Sequence, residues 1–246
     1  MMEHQFSRTE MLIGTDALNK LRHSKVIIFG VGGVGGYVCE ALARSGVGEI
    51  HLVDNDIVSI TNINRQILAL LSTVGRDKVD VAEERIADIN PQCVVRKYKM
   101  FYLPENADDI DLSKMDYVVD CIDTVKAKLE LARRCHRLGV PFISSMGAAN
   151  KMNPAAFRVL DIQKTQMDPL AKVIRKQLRR EGILHMKVVC SEEKPIKPAD
   201  VEGSIGETQD KAKDNTHKQV PASNAFVPAA AGLVIASEVV KDLIMQ

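Results

Sequence analysis

Four glycines, Gly30, Gly32, Gly33 and Gly35, follow the apolar run KVIIFG (Lys25 to Gly30) and precede a helical pattern from Gly36 to Ser45. Glycines at such a junction let the backbone approach a phosphate, and the N-terminus of the next helix supplies oriented N–H donors and a partial positive charge. Asp54 closes the following apolar run, EIHLVD, where a carboxylate can accept hydrogen bonds from ribose hydroxyls. These residues fit NAD and ATP equally. The competing explanation, that the glycines serve only close packing of strand on helix, leaves Asp54 at that separation unexplained.

The residues after Asp54 discriminate. DNDIVSITNINRQ adds Asp56, Asn62, Arg65 and Gln66, for which a dehydrogenase has no use. Asn62 and Arg65 are three apart, so on one helical turn they share a face. A guanidinium donates planar, paired hydrogen bonds to phosphate, which suits a triphosphate better than a hydride carrier. Lys78, opening a helical pattern that runs to Ile89, adds a point charge suited to a β- or γ-phosphate, although a solvated lysine on a helix face would explain it when taken alone. Asp123 lies just past the apolar run DYVVDCI, at a carboxyl strand end, where ligands bind in open parallel sheets. A carboxylate there can hold Mg2+ bridging phosphates, and it can also cap a helix starting near Val125.

Elements that position these residues can be read along the chain. KVIIFG, EIHLVD, DYVVDCI and VPFISSMG (Val140 to Gly147) are short, β-branched, apolar runs of the kind buried in parallel sheets. Helical patterns separate them: Gly36 to Ser45, Lys78 to Ile89, and Val125 to Leu138, the last stopped by Gly139 and Pro141. CVVRKYKMF (Cys93 to Phe101) is a further strand. After Gly147 come a strand in AAFRVLDI, an amphipathic helix from Asp168 to Gly182 and a strand in MKVVCS (Met186 to Ser191), which together resemble an antiparallel extension. The expected fold class is α/β: a Rossmann-like, mostly parallel sheet flanked by helices, with a C-terminal antiparallel extension. Residues 192–224 are rich in charge, Pro, Gly and Ser and nearly free of large apolar side chains, so a long mobile loop is expected there. VPAAAGLVIASEVVKDLI then closes a single domain spanning 1–246.

Composition excludes several classes. The 246 residues are 46% hydrophobic and 26% charged with a formal net charge of +1, which describes an ordinary globular protein without a long-range pull on polyanions. Any nucleic-acid contact must therefore be local, and Lys172, Arg175, Lys176, Arg179 and Arg180 form such a stripe on the helix after Asp168. The five cysteines are scattered and never form a C-x-x-C pair, so neither disulfides nor a zinc site is expected. Cys190, alone in an apolar strand, reads as a small buried hydrophobe rather than a nucleophile. The N-terminal residues lack a signal-type apolar core, and the apolar stretch Ala225 to Ser237 is shorter than the ~20 residues of a membrane span. A cytoplasmic protein is expected.

Taken together, Gly-x-Gly-Gly-x-Gly, Asp-x-Asp, Asn-x-x-Arg-Gln, the later lysine and the strand-end aspartate resemble the ubiquitin-activating-enzyme-like adenylyltransferases of the HesA, MoeB and ThiF group. Within that group FSRTEMLIG, NINRQI, CIDTVKAK, SSMGAANKMNP, DIQKTQMDPLAKVIRKQLR and KVVCSEEKP resemble the tRNA threonylcarbamoyladenosine dehydratases. The resemblance implies that Gly30, Gly32, Gly33, Gly35, Asp54, Asp56, Asn62, Arg65, Gln66 and Lys78 bind ATP and that Asp123 holds Mg2+. It further implies that Arg65, Lys78 and Asp123 act in the chemistry, joined by Arg8, which is similar to an arginine sent into a neighbouring subunit's site in a homodimer. The implied partner is tRNA bearing threonylcarbamoyladenosine, whose carboxylate would be adenylylated before a ring closes with loss of water; a sulfur-transfer protein is a further candidate partner. Two other readings stay open: activation of a ubiquitin-like sulfur carrier, whose activators typically carry two C-x-x-C pairs absent here, and an NAD-dependent oxidoreductase.

Overall fold

The computed structural model describes residues 3–199 and 221–245. Seven strands form one sheet in the order β3-β2-β1-β4-β5-β7-β6, where β1 is Lys25–Phe29, β2 Glu49–Val53, β3 Val94–Tyr98, β4 Tyr117–Asp120, β5 Phe142–Ser145, β6 Phe157–Asp161 and β7 Lys187–Ser191. Every neighbouring pair is parallel except β6 with β7, so the C-terminal extension is a single reversed strand on a sheet that β7 itself continues in parallel. The order reverses direction between β1 and β4, and Phe29 pairs with Asp120 at their carboxyl ends. Ligands of open parallel sheets bind in the crevice outside such a switch point.

The two-residue period of the strands assigns the faces. Val26 and Ile28 of β1 join a core with Ile50, Leu52 and Val119, covered by α3 (Gly35–Ser45), α4 (Lys78–Ile89) and α7 (Val227–Met245). Ile27 and Phe29 point the other way, into a cluster covered by α5 (Val125–Leu138). Further along that face, Val188 and Cys190 pack against α6 (Pro169–Arg180) through Ile174 and Leu178. Each fully buried aliphatic side chain contributes roughly 1.5–3 kcal/mol, so two continuous apolar layers give the sheet a rigid frame. The seat of α7 depends on Gly232, where a Cβ would lie 2.5 Å from the Val34 carbonyl oxygen.

Two short helices precede β1: α1 (Ser7–Ile13) and α2 (Thr15–His23), turned about Gly14 at φ 88°. They add to the elements expected from the sequence pattern. Residues 200–220 of the expected mobile loop lie outside the described residues, whereas 192–199 and 221–224 are placed. No helix among the described residues is long and apolar enough to cross a membrane.

Candidate active site

The four glycines differ in what they do. Gly30 sits at φ 85°, and a Cβ there would lie 2.9 Å from the Cys121 carbonyl oxygen; a Cβ at Gly35 would lie 1.8 Å from the Gly30 oxygen. These two positions need glycine for the chain's own packing. At Gly32 a Cβ would meet nothing nearer than Gln66 Nε2 at 3.7 Å, and at Gly33 nothing nearer than Pro228 Cβ at 3.3 Å. Packing therefore does not account for Gly32, which leaves the backbone bare over the N-terminus of α3, where no side chain provides a cap. Asp54 is locked to this loop: Oδ2 accepts the Val31 N–H at 2.6 Å and Oδ1 the Asp56 N–H at 2.8 Å. Each oxygen keeps a lone pair for a hydroxyl donor.

A 3₁₀ turn, Ile60–Asn62, leads into the NINRQ stretch, which continues as a helical turn: the Arg65 and Gln66 N–H groups donate to the Asn62 carbonyl at 3.0 and 2.9 Å, and the side chains divide the labour. Asn62 is buried, and its Oδ1 accepts the Ser59 N–H at 3.1 Å, closing the turn. Arg65 is half-buried, with Nη1 donating to the Thr61 carbonyl at 2.8 Å and to Asn64 Oδ1 at 2.9 Å. Among the described residues no carboxylate pairs with it, and desolvation alone holds its pKa below the ordinary arginine value. A desolvated cation without a counter-charge favours the arrival of an anion. Gln66 is 7% exposed, and its Oε1 has no hydrogen-bond partner among the described residues. An orphaned buried oxygen beside an open glycine fits a nucleotide, which supplies both donors and bulk.

Lys78 is not a solvated surface lysine. Its ammonium, almost fully buried, donates to Asp56 Oδ2 at 2.7 Å, and its backbone N–H donates to the Asp56 carbonyl at 3.0 Å. Asp123 is exposed two residues beyond Cys121, whose carbonyl abuts Gly30. It does not cap α5: Thr124 takes the cap position without a side-chain bond, and among the described residues the Asp123 carboxylate meets only the Thr124 hydroxyl, at 3.4 Å. That leaves its oxygens available to a cation, which would take its remaining ligands from phosphates and water, since no group of three or more His, Cys, Asp or Glu gathers among the described residues.

Two buried lysines escape a reading by motif. Lys128 of α5 donates to Asp120 Oδ2 at 3.0 Å, Ser144 Oγ at 3.2 Å and the Ser145 carbonyl at 2.7 Å. Asp120 Oδ2 also accepts from the Ser144 hydroxyl at 2.6 Å, while its Oδ1 accepts the Ile122 N–H at 3.1 Å, which fixes the chain leading to Asp123. Lys151 donates to the Gly147 carbonyl and to Asp168 Oδ2, and Asp168 Oδ1 accepts the Ala171 N–H at 2.9 Å as the cap of α6. The available signal is a charged residue placed in an apolar strand (Asp120) or on the inward phase of a helix (Lys128).

Other expected residues lie apart. On α6, Lys172, Lys176, Arg179 and Arg180 are exposed, but Arg175 turns back to donate to the Thr165 carbonyl at 2.8 Å and hydroxyl at 2.6 Å. Arg8 is exposed on α1; the preceding Phe6 packs by Gly46, at the C-terminal end of α3. Among the described residues no hydrogen bond or ion pair joins Arg8 to the glycine loop, Arg65, Lys78 or Asp123. Cys190 is buried in β7, and burial pushes its thiol up to about 12.

With this geometry in place, the ThiF family model matches residues 6–246. The chain belongs to the ThiF family. Among relatives of this ThiF-family chain, the tRNA threonylcarbamoyladenosine dehydratase of Bacillus subtilis (strain 168) is 51% identical over 245 residues, covering 99% of this chain and 96% of its own. The structure is similar to E. coli tRNA N6-threonylcarbamoyladenosine dehydratase, TcdA, in complex with ATP (TM-score 0.86, 33% identity, 98% of this chain and 94% of the other). The same protein in complex with AMP gives a TM-score of 0.85 at the same identity and coverage.

Proposed function

We propose that this ThiF-family chain is an ATP-dependent dehydratase that adenylylates the carboxylate of threonylcarbamoyladenosine in tRNA and promotes its cyclisation. The nucleotide half of this reading is carried by Arg65, a half-buried cation with no carboxylate partner among the described residues, whose Cγ lies 3.7 Å from where a Cβ at Gly33 would stand, next to the open Gly32. The substrate half is supported by identity over nearly the full length of the Bacillus dehydratase.

The triphosphate lies over the bare backbone at Gly32 and the N-terminus of α3, with Gly33 beside it. Asp54 accepts from the ribose, and Asn62, Asp56 and Gln66 shape the pocket around it. Arg65 and Lys78 neutralise charge that builds on the phosphates, and Asp123 holds Mg2+, which when bound supplies further neutralisation. The substrate carboxylate attacks the α-phosphorus and pyrophosphate departs, leaving an acyl-adenylate. A nearby group of the same side chain then attacks the acyl carbon, AMP leaves, and the ring closes with net loss of one water. Because the second nucleophile is tethered, effective molarity replaces acid or base catalysis, and no catalytic cysteine is required. Residues 1–246 act as one adenylation domain in a cytoplasmic homodimer, in which Arg8 reaches the neighbouring subunit's site and α6 tracks the tRNA backbone; a sulfur-transfer protein is a further partner.

Incubation with ATP, Mg2+ and tRNA bearing the modified adenosine, followed by mass analysis of the nucleosides, tests this directly. The expected product is lighter by one water, with AMP released in step, and Asp123→Ala abolishes both. Thermal stabilisation by NAD but not by ATP with Mg2+, together with an unchanged nucleoside, would overturn the reading.

A further inference from the structure

Asn64 stands between the turn-closing Asn62 and the unpaired Arg65 and uses both ends of its amide. Its Oδ1 accepts from Arg65 Nη1 at 2.9 Å, and its Nδ2 donates to the Ser223 carbonyl at 3.1 Å. Arg65 Nη1 carries two hydrogens; Thr61 and Asn64 take both. Nε and Nη2 have no partner among the described residues, so the guanidinium is held by one corner with its other donors free for a ligand.

Ser223 lies in the stem 221–226 that leads into α7, and the opposite side of this stem is held as firmly. Asn150 Oδ1 accepts the Ala222 N–H at 2.8 Å, and the Asn150 N–H donates to the Ala222 carbonyl at 2.8 Å. The Asn150 carbonyl accepts the Ile196 N–H at 2.7 Å, so one residue grips the chain on both sides of 200–220. It does so at φ 60°, a left-handed conformation that asparagine tolerates better than most residues. Asn224 then accepts the Val227 N–H at 2.9 Å and donates to the Lys151 carbonyl at 2.8 Å, which fixes the start of α7 and sets Pro228 against Gly33. The stem reaches Asn64 through Ser223, and the helix it leads into reaches Gly33 through Pro228.

We infer that Asn64 is a positioning residue that orients the Arg65 guanidinium toward the phosphates and couples that orientation to the seat of the 221–226 stem. The inference rests on the reading of Arg65 as a phosphate ligand. A hydrogen bond to a charged group fixes the plane before the nucleotide arrives, so less freedom is lost on binding. Loss of Asn64 frees one Nη1 hydrogen and allows the plane to turn.

The test is a double-mutant cycle read by calorimetric titration with ATP and Mg2+, with thermal melts confirming that each variant folds. Asn64→Leu, close in size but without the amide, is expected to weaken ATP binding about tenfold. In the Arg65→Ala background the same change is expected to cost nothing further. Asn150→Gly removes the side-chain grip on the stem without backbone strain and is expected to weaken ATP binding about threefold, but not in the Asn64→Leu background. A penalty for Asn64→Leu that is absent, or equal in both Arg65 backgrounds, overturns the positioning role. An absent or additive Asn150→Gly penalty overturns the coupling to the stem. Failure of the unaltered protein to bind ATP overturns the reading of Arg65 itself.

Discussion

Lys78 and Asp56 form an ion pair of 2.7 Å in which the ammonium side chain is 6% exposed and the carboxylate side chain 61% exposed. This asymmetry separates stability from activity. In Lys78→Met the carboxylate is left in water, where it needs no partner, so the urea midpoint should stay near that of the parent. Loss of a preorganised cation at the phosphates should lower adenylation about 10²–10³-fold, read as ATP–pyrophosphate exchange. Asp56→Asn instead leaves a buried ammonium without its counter-charge and should destabilise the fold by about 1–3 kcal/mol. Equal destabilisation by the two substitutions would contradict the assignment.

The glycine loop makes a sharper distinction. Gly35→Ala forces a Cβ to 1.8 Å from a backbone oxygen that cannot move aside, so it should destabilise the fold by roughly 3 kcal/mol or leave it insoluble. Gly32→Ala has 3.7 Å to its nearest neighbour and should melt close to the parent. Its methyl group occupies space assigned to the nucleotide, so ATP with Mg2+ should no longer raise its melting temperature. A Gly32→Ala protein that ATP stabilises normally would place the phosphates elsewhere.

Much of this site was legible because its parts are local. Strands β1, β2, β4 and β5 are runs of β-branched residues between glycines and helical patterns, and the glycines, Asp54, Arg65 and Asp123 all fall at or beyond the ends of such runs. What escaped depends on neighbours distant in sequence. Lys128 and Lys151 look like surface lysines until Asp120 and Asp168 come beside them. Arg175 belongs by composition to a basic stripe, yet the preceding turn captures it through Thr165. The helices α1 and α2 lack a long apolar stripe: α1 exposes Met11 and Leu12, and α2 buries only Leu18 and Leu21.

The buried pair of Lys128 and Asp120 should behave as a unit. Lys128→Met strands a fully buried carboxylate and should cost about 3–5 kcal/mol in urea denaturation. Adding Asp120→Ala to that variant removes the uncompensated charge and should recover much of the loss. A double variant no more stable than Lys128→Met would mean that the serine and backbone hydrogen bonds, rather than charge, hold this corner.

Cys190 should be chemically silent. With its thiol pushed up to about 12 by burial, Cys190 stays protonated at pH 8 and offers no thiolate to an electrophile. Iodoacetamide should spare it in the folded protein, as mass mapping would detect, and Cys190→Ser should dehydrate tRNA near the parental rate. Complete loss of turnover in a folded Cys190→Ser protein would demand a covalent step that tethered ring closure does not need.

The basic face of α6 gives the last prediction, because exposure divides its five cations. Lys172, Lys176, Arg179 and Arg180 point to solvent, whereas Arg175 is spent on Thr165. If the four exposed charges meet tRNA phosphates, replacing them all with glutamine weakens binding and lowers the slope of log affinity against log salt by about 0.7–0.9 for each phosphate no longer neutralised. Arg175→Ala should leave that slope unchanged and instead lower thermal stability, since the Thr165 turn loses its anchor. A slope that does not move in the fourfold variant removes this helix from the tRNA interface, whatever its charge suggests.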